Sequence, residues 1–161
     1  MGHAFQQWTI PLRFELDYAF YQRTRFSIKT RDSGVDYNNR LSIVSQPVLL
    51  NMYYDYDINP DWSVFGGPGG GLSHTRVRVI KTNLNNPADI HWFNNQNNLE
   101  WAWALSAGIA RDVGERSVIS LMYRYLDNGR VSSGPNQSDS HEFFSGRLKR
   151  NDIIVAFDYY Y

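Results

Sequence analysis

The sequence predicts an all-β chain, an antiparallel up-and-down transmembrane β-barrel with six strands readable of an expected eight. Three observations predict it. Polarity alternates with period two over whole segments, as it must when successive strand side chains point to opposite faces. Tyr (11), Phe (9) and Trp (5) are plentiful, as rings at a membrane boundary require. The last segment, NDIIVAFDYYY, sets Ile153, Val155, Phe157, Tyr159 and Tyr161 on one face against Asp152, Ile154, Ala156, Asp158 and Tyr160 on the other. One lipid-facing row and one polar lumen row is the pattern of a membrane-spanning barrel.

The first strand is expected from about Trp8 to Lys29. Trp8, Ile10, Leu12, Phe14, Leu16, Tyr18 and Phe20 share a face, with Thr9, Arg13, Glu15 and Asp17 opposite. The second, about Arg40 to Ile58, sets Val48, Leu50, Met52, Tyr54, Tyr56 and Ile58 against Asn51, Tyr53, Asp55 and Asp57. The third, about Ser63 to Ile80, is glycine-rich. Its apolar residues Phe65, Val77 and Val79 are expected outward, and His74, Arg76 and Arg78 inward. The fourth, about Leu99 to Asp112, opposes Leu99, Trp101, Trp103, Leu105 and Ile109 to Glu100, Ala102, Ala104, Ser106 and Gly108. The fifth, about Val118 to Leu126, opposes Ile119, Leu121, Tyr123 and Tyr125 to Ser120 and Arg124. The closing segment is the sixth.

Connections alternate in length. Asn59-Pro60-Asp61-Trp62 and Val113-Gly114-Glu115-Arg116 read as tight turns. The stretches near Thr30–Asn39, Lys81–Asn98 and Asp127–Arg150 read as longer polar loops. Short turns on one rim and long loops on the other place the short rim in the periplasm and the loops outside. Because bacterial barrels begin at about eight strands, two N-terminal strands are expected to be absent from this chain. Oligomerisation through open edges, or a strand hidden in a loop, are the alternatives.

Composition excludes several classes. At 161 residues the chain reads as one domain, 1–161. Sixteen basic residues balance sixteen acidic ones, which argues against a nucleic-acid partner. With no cysteine there are no disulfides or thiolate metal sites. Mean hydropathy is −0.49, and no run approaches the ~18 apolar residues of a membrane helix. The start, MGHAFQQW, shows no signal peptide, so a leader is expected to have been removed or the chain to be a fragment.

Three pieces carry a resemblance: NMYYDYDINPDWSVFGGPGGGLSH (Asn51–His74), WALSAGIARDVGERSVISLMYRYLDNG (Trp103–Gly129) and NDIIVAFDYYY (Asn151–Tyr161). A Tyr-Tyr-Asp strand, a Gly-rich strand, an Arg-Tyr pair followed by Gly, and a closing aromatic strand occur in this order. The chain in this respect resembles the opacity-type small outer-membrane β-barrels, relatives of the OmpA and OmpX barrels. Tyr161 stands where that family usually has Phe. The resemblance implies a bacterial outer-membrane location and insertion by the barrel assembly machinery. The assembly signal would be Ile153, Val155, Phe157, Tyr159 and Tyr161. It also implies that the outer loops meet lipopolysaccharide or a host surface ligand.

Facing the lumen are expected Arg13, Glu15, Asp17, Asp55, Asp57, Glu100, Arg124, Asp152 and Asp158. Charges without water must pair, so these form a plugging salt-bridge network or, alternatively, line a small-solute path. Facing lipid are expected Leu12, Phe14, Leu50, Met52, Trp101, Trp103, Leu121, Val155 and Phe157. His3, His74, His91 and His141 have no metal-ligand spacing. The Gly66–Gly71 run lacks the Lys-Ser/Thr of a phosphate loop. Ser140-His141-Glu142 is no ready triad, because strand neighbours point apart. No enzyme activity and no cofactor are expected. A soluble lipocalin-like barrel, with the apolar face turned inward, is the rival fold reading.

Overall fold

The computed structural model describes residues 11–159 except 33, 87, 115 and 136–143. The expectations for Trp8, Thr9, Ile10, Tyr160, Tyr161, His3 and the Ser140–Glu142 triplet lie outside the described residues. Among the described residues all regular structure is antiparallel β: β1 Leu12–Tyr18, β2 Tyr21–Asp32, β3 Val35–Asn59, β4 Trp62–Asn83, β5 Ile90–Trp92, β6 Gln96–Gly114, β7 Ser117–Ser132 and β8 Ser145–Tyr159. They form one eight-stranded sheet, in the order β1-β3-β4-β6-β7-β8, with β2 also on β3 and β5 also on β4.

Eight strands occupy six positions across that sheet. β1 pairs with Val48–Tyr54 and β2 with Val35–Ser45, so the two lie end to end along β3. At their junction the Ala19 N–H donates to the Pro47 carbonyl at 3.1 Å. Pro47 has no N–H to return, which weakens the ladder there. The expected long first strand is therefore one column with a break in it. β5 adds a short strand to β4 inside the Lys81–Asn98 stretch.

The turns follow local chemistry. Asn59 Oδ1 accepts the N–H groups of Asp61 and Trp62, each at 3.0 Å, closing the β3–β4 turn, and the Asp112 N–H of β6 donates to the Asp61 carbonyl at 2.9 Å. β6 and β7 join as tightly at the same rim.

Two loop expectations are corrected. Thr30–Asn39 is strand, turn and strand: β2 runs to Asp32 and β3 starts at Val35, with Gly34 between them at φ 85°. β7 continues to Ser132 and β8 starts at Ser145, so much of Asp127–Arg150 is strand as well. The extension of β7 passes through a bulge between Asp127 and Arg130, where Gly129 has φ 83° and donates its N–H to Asp127 Oδ1 at 2.9 Å. The bulge breaks the alternation, and Leu126, Asp127 and Asn128 are all buried in succession.

The phase of β4 is also corrected. Phe65, Val77 and Val79 point inward and are buried, Val79 fully (0% exposed). Arg76 and Arg78 are outward and exposed. Residues directly opposite across an antiparallel ladder share a face. Val77 lies opposite Ile43 and Thr75 opposite Ser45, both of which are buried. β4 keeps one phase throughout; what changes along it is the kind of residue placed on each face.

That change recurs on the long strands. Toward the short turns, the outward residues are apolar and exposed: Leu50 and Tyr54 on β3, Leu72 on β4, Leu105 on β6, Leu121 on β7 and Val155 on β8. Toward the other end apolar residues of β3, β4 and β7 turn inward, while Ile90 and Trp92 of β5 stay exposed. Val77, Val79, Phe93 and Val131 form a core there with Leu41, Phe144 and Leu148 against it. Between the two zones lies a buried polar layer: Asn128 Oδ1 accepts from Ser45 Oγ at 3.1 Å and Ser73 Oγ at 3.0 Å.

Candidate functional site

The inner face of the short-turn half is built from alternate residues of β1, β3, β4, β6, β7 and β8. Apolar filling comes from Leu49, Ala102, Ala104 and Leu126, all buried together. β4 contributes glycines here. A Cβ at Gly69 would meet the Asn51 side chain, and one at Gly71 the Val48 carbonyl. Side chains from neighbouring strands take up the space the glycines leave.

Two charged clusters stand in this interior. In the first, Arg13 pairs with Glu15 and grips Asp55 with two donors, Nε to Oδ2 at 3.2 Å and Nη2 to Oδ1 at 3.1 Å. Its guanidinium lies 4.9 Å from the Tyr53 ring centroid and 5.1 Å from that of Phe65, which themselves meet edge-on at 5.6 Å. A planar cation between aromatic faces and a forked carboxylate is a rigid arrangement. In the second, buried Arg124 pairs with Asp17 and reaches Asp152 at 3.8 Å. Tyr21 donates its hydroxyl to Asp152, and Arg150 lies 3.8 Å over the Tyr21 ring.

The second cluster has a topological role. β2 and β8 share no backbone ladder among the described residues. Tyr21 on β2 and Asp152 with Arg150 on β8 span the opening between these edges by side chains alone, and Arg124 to Asp17 ties β7 to β1. Tyr21 and Arg150 are participants that the sequence reading missed. Tyr21 follows the break after Phe20, where the alternation that identified its neighbours stops.

Six of the nine lumen candidates thus meet in two clusters: Arg13, Glu15 and Asp55, and Asp17, Arg124 and Asp152. The other three form no ion pair with them. Asp57 and Asp158 are exposed and line a cavity of about 370 Å³ at the short-turn end together with Arg13, Glu15 and Asp55 of the first cluster, with Asp112 beside them. Glu100 lies opposite buried Ser73, on the inner phase, but is itself exposed. None of the three makes an ion pair among the described residues. Water reaches each, and an exposed acid needs no partner.

The outward set is placed as follows. Leu12, Phe14, Leu50, Met52, Trp101, Trp103, Leu121, Val155 and Phe157 are all exposed, from 39% for Met52 to 76% for Trp101. Of the closing strand, Ile153, Val155, Phe157 and Tyr159 are exposed on one face. His74 points outward on β4. His91 sits on β5 with Nε2 3.2 Å from Asp89 and its ring edge-on to Tyr37. No group of three metal-ligating side chains occurs among the described residues.

These features define a class: an antiparallel sheet with charge clusters inside and a continuous apolar face outside. Compared with known proteins, the chain is 24% identical over 162 residues to the outer membrane protein PagN of Salmonella typhimurium (strain LT2). The match covers 93% of this chain and 65% of PagN, so the chain spans less than two thirds of that relative's length. No family model matches the chain, and no solved structure does.

Proposed function

We propose that the chain is a non-enzymatic bacterial outer-membrane β-barrel protein, with a plugged polar lumen and outer segments that engage other surfaces. The observation that carries this reading is the exchange of polarity along single strands. On β4, Leu72 is outward and apolar, while further along Val77 and Val79 are inward and Arg76 and Arg78 outward. A strand in lipid turns apolar groups out; the same strand in water turns them in. A soluble lipocalin-like barrel has one solvent and no reason to change over. β3 spans 25 residues, whereas crossing a bilayer takes only ~9–11. The rest stands clear of the membrane as a water-exposed stalk, on the side away from the short turns, which are periplasmic.

The name of the PagN relative supports the outer-membrane location. Leu49, Tyr53 and Arg124 fill the interior as buried side chains, which supports a plug over a channel. The final strand, with its outward row through Tyr159, serves as the signal to the assembly machinery. Adhesion by the outer hairpins and the 84–95 segment rests on the family resemblance and on the reach of the stalk.

Protease treatment of the chain reconstituted in phospholipid vesicles tests the location. The expected result is trimming of the stalk, with the short-turn half (Leu12–Tyr18, Val48–Leu72, Trp101–Leu126 and Asn151–Phe157) protected. Complete digestion of that half contradicts the reading. For adhesion, bacteria displaying the chain should bind epithelial cells more than bacteria lacking it, and replacing 84–95 by a Gly/Ser linker should remove the gain. No gain on display overturns adhesion and leaves the location standing.

A further inference from the structure

The formal charge of this chain is zero, but the charges are segregated by face. Above Phe20, Val48 and Leu72, the outward face of β2, β3 and β4 carries Arg25, Arg40, Arg76 and Arg78, and Arg23 lies in the irregularity between Tyr21 and Thr24, all exposed. The ladders bring them together. Arg25 and Arg78 both lie opposite Ser42, on its two sides, and Arg76 lies opposite Val44. Arg76 and Arg78 are aimed through Nε by Asn97 and Asn95, each at 3.1 Å. Each guanidinium therefore keeps its terminal amino edge toward solvent. Among the described residues no carboxylate pairs with any of these five. Further along the same face of β3, Asp36 is engaged by Arg31 at 3.7 Å.

Their height is set by the strand. Leu72 to Arg76 is four residues, roughly 13 Å along a strand rising ~3.3 Å per residue, or ~10 Å of height at a tilt of ~40°. Arg25 follows Phe20 by five residues. The cluster thus begins directly above the apolar face, where the headgroups of the outer leaflet lie if the membrane reading holds. Five like charges held on neighbouring strands repel one another unless anions sit between them, and planar guanidinium groups match phosphate oxygens bidentately.

The geometry points to a binding site for the phosphates of an outer-leaflet glycolipid of the lipid A type. Arg25, Arg76 and Arg78 clamp its phosphate groups, and its acyl chains run down the apolar face below, past Leu72 and Leu50. An occupant with acyl chains and phosphate fits both surfaces; a soluble polyanion fits the upper one alone. The inference rests on the membrane reading above and deepens it.

The test uses the full chain in phosphatidylcholine vesicles doped with bisphosphorylated or dephosphorylated lipid A, without divalent cations. Protease protection of the short-turn half is measured first. The protein is then captured in mild detergent and the co-purified lipid A is quantified. Enrichment of the bisphosphorylated form over the dephosphorylated one is expected. The R25Q/R76Q/R78Q triple variant should lose on the order of a hundredfold of it, the sum of three basic residues at about 1 kcal/mol each near a charged surface. The R25K/R76K/R78K variant should retain a substantial part. Equal recovery of both lipid forms, or an undiminished triple variant, overturns the site. Capture by dextran sulfate with no enrichment of lipid A also overturns it and reassigns the patch to a soluble polyanion. A chain whose short-turn half is not protected overturns the membrane reading itself, a failure separable from that of the lipid site because it is read first.

Discussion

At the scale of single residues, the outward apolar face and the inner charge clusters make opposite demands. Leu50 and Val155 are 58% and 72% exposed, so neither is held in place by packing within the chain. In vesicles, Leu50→Arg or Val155→Arg should destabilise by about 2–4 kcal/mol if the site is near the midplane. Denaturant titration of the reconstituted protein measures this, and no loss for either variant contradicts a lipid-facing position. Arg124 is buried between Asp17 and Asp152. Arg124→Met removes the shared cation and leaves two acids facing each other, a loss of roughly 3–5 kcal/mol by the usual cost of breaking a buried pair. Arg150→Met, at the exposed end of the same cluster, should cost under about 1 kcal/mol. Equal losses for the two would mean that the interior is wetter than the geometry indicates.

The residues around these sites were legible to very different degrees. Arg13, Asp17, Asp55, Arg124 and Asp152 are legible because each stands opposite an unbroken apolar row at strict alternation. Arg76, Arg78, Val77 and Val79 are not placed by alternation alone, because the apolar row of β4 changes face between Leu72 and Val77, and Val77 and Val79 belong to a buried cluster. Tyr21 and Arg150 were invisible because their pairing depends on how far the sheet curls, which no local pattern encodes.

At the scale of elements, glycine decides where strands can bend and approach. Gly129 combines φ 83° with a crowded site, in which a Cβ would stand 2.7 Å from the Trp101 carbonyl oxygen and 2.8 Å from Glu100 Cβ. Gly70, on the outward side of β4, has open space at the same position. Gly129→Ala should therefore cost at least about 2 kcal/mol, from left-handed backbone strain plus displacement of β6. Gly70→Ala should stay within about 0.5 kcal/mol. Unfolding midpoints of the two variants, compared side by side, check the bulge; parity between them contradicts it. The bulge also explains why alternation stopped being readable at Leu126. Three consecutive buried residues cannot be fitted by a period of two. The Gly34 hairpin was passed over for a simpler reason: Asp, Ser, Asn and Gly around a turn look the same whether the flanking segments are loop or strand.

At the scale of the whole molecule, the issue is the edges. Among the described residues no strand pairs with the outer side of β1, β2 or β8. In hydrocarbon each unpaired backbone group costs several kcal/mol, so these edges must find partners. The six columns can close on each other, join a second copy, or accept strands supplied in addition. The side-chain links at Tyr21 and Arg124 are too few to replace a ladder. We expect the 161-residue chain to self-associate or fold poorly in vesicles, and two added N-terminal strands to give a heat-resistant monomer. Heat-modifiable migration on a denaturing gel distinguishes these. A compact, heat-modifiable monomer of the chain alone means that the edges close directly on one another.

The central claim is that the outward face of the short-turn half meets lipid and its inner face does not. The chain has no cysteine, so single cysteines carrying a polarity-sensitive fluorophore report each face without background. Leu50→Cys, Leu121→Cys and Val155→Cys should give blue-shifted emission quenched by brominated acyl chains. Ser120→Cys and Val77→Cys, one inside the lumen and one inside the stalk, should show no such quenching. Quenching at the inward positions equal to that at the outward ones, or none at the outward ones, contradicts the account.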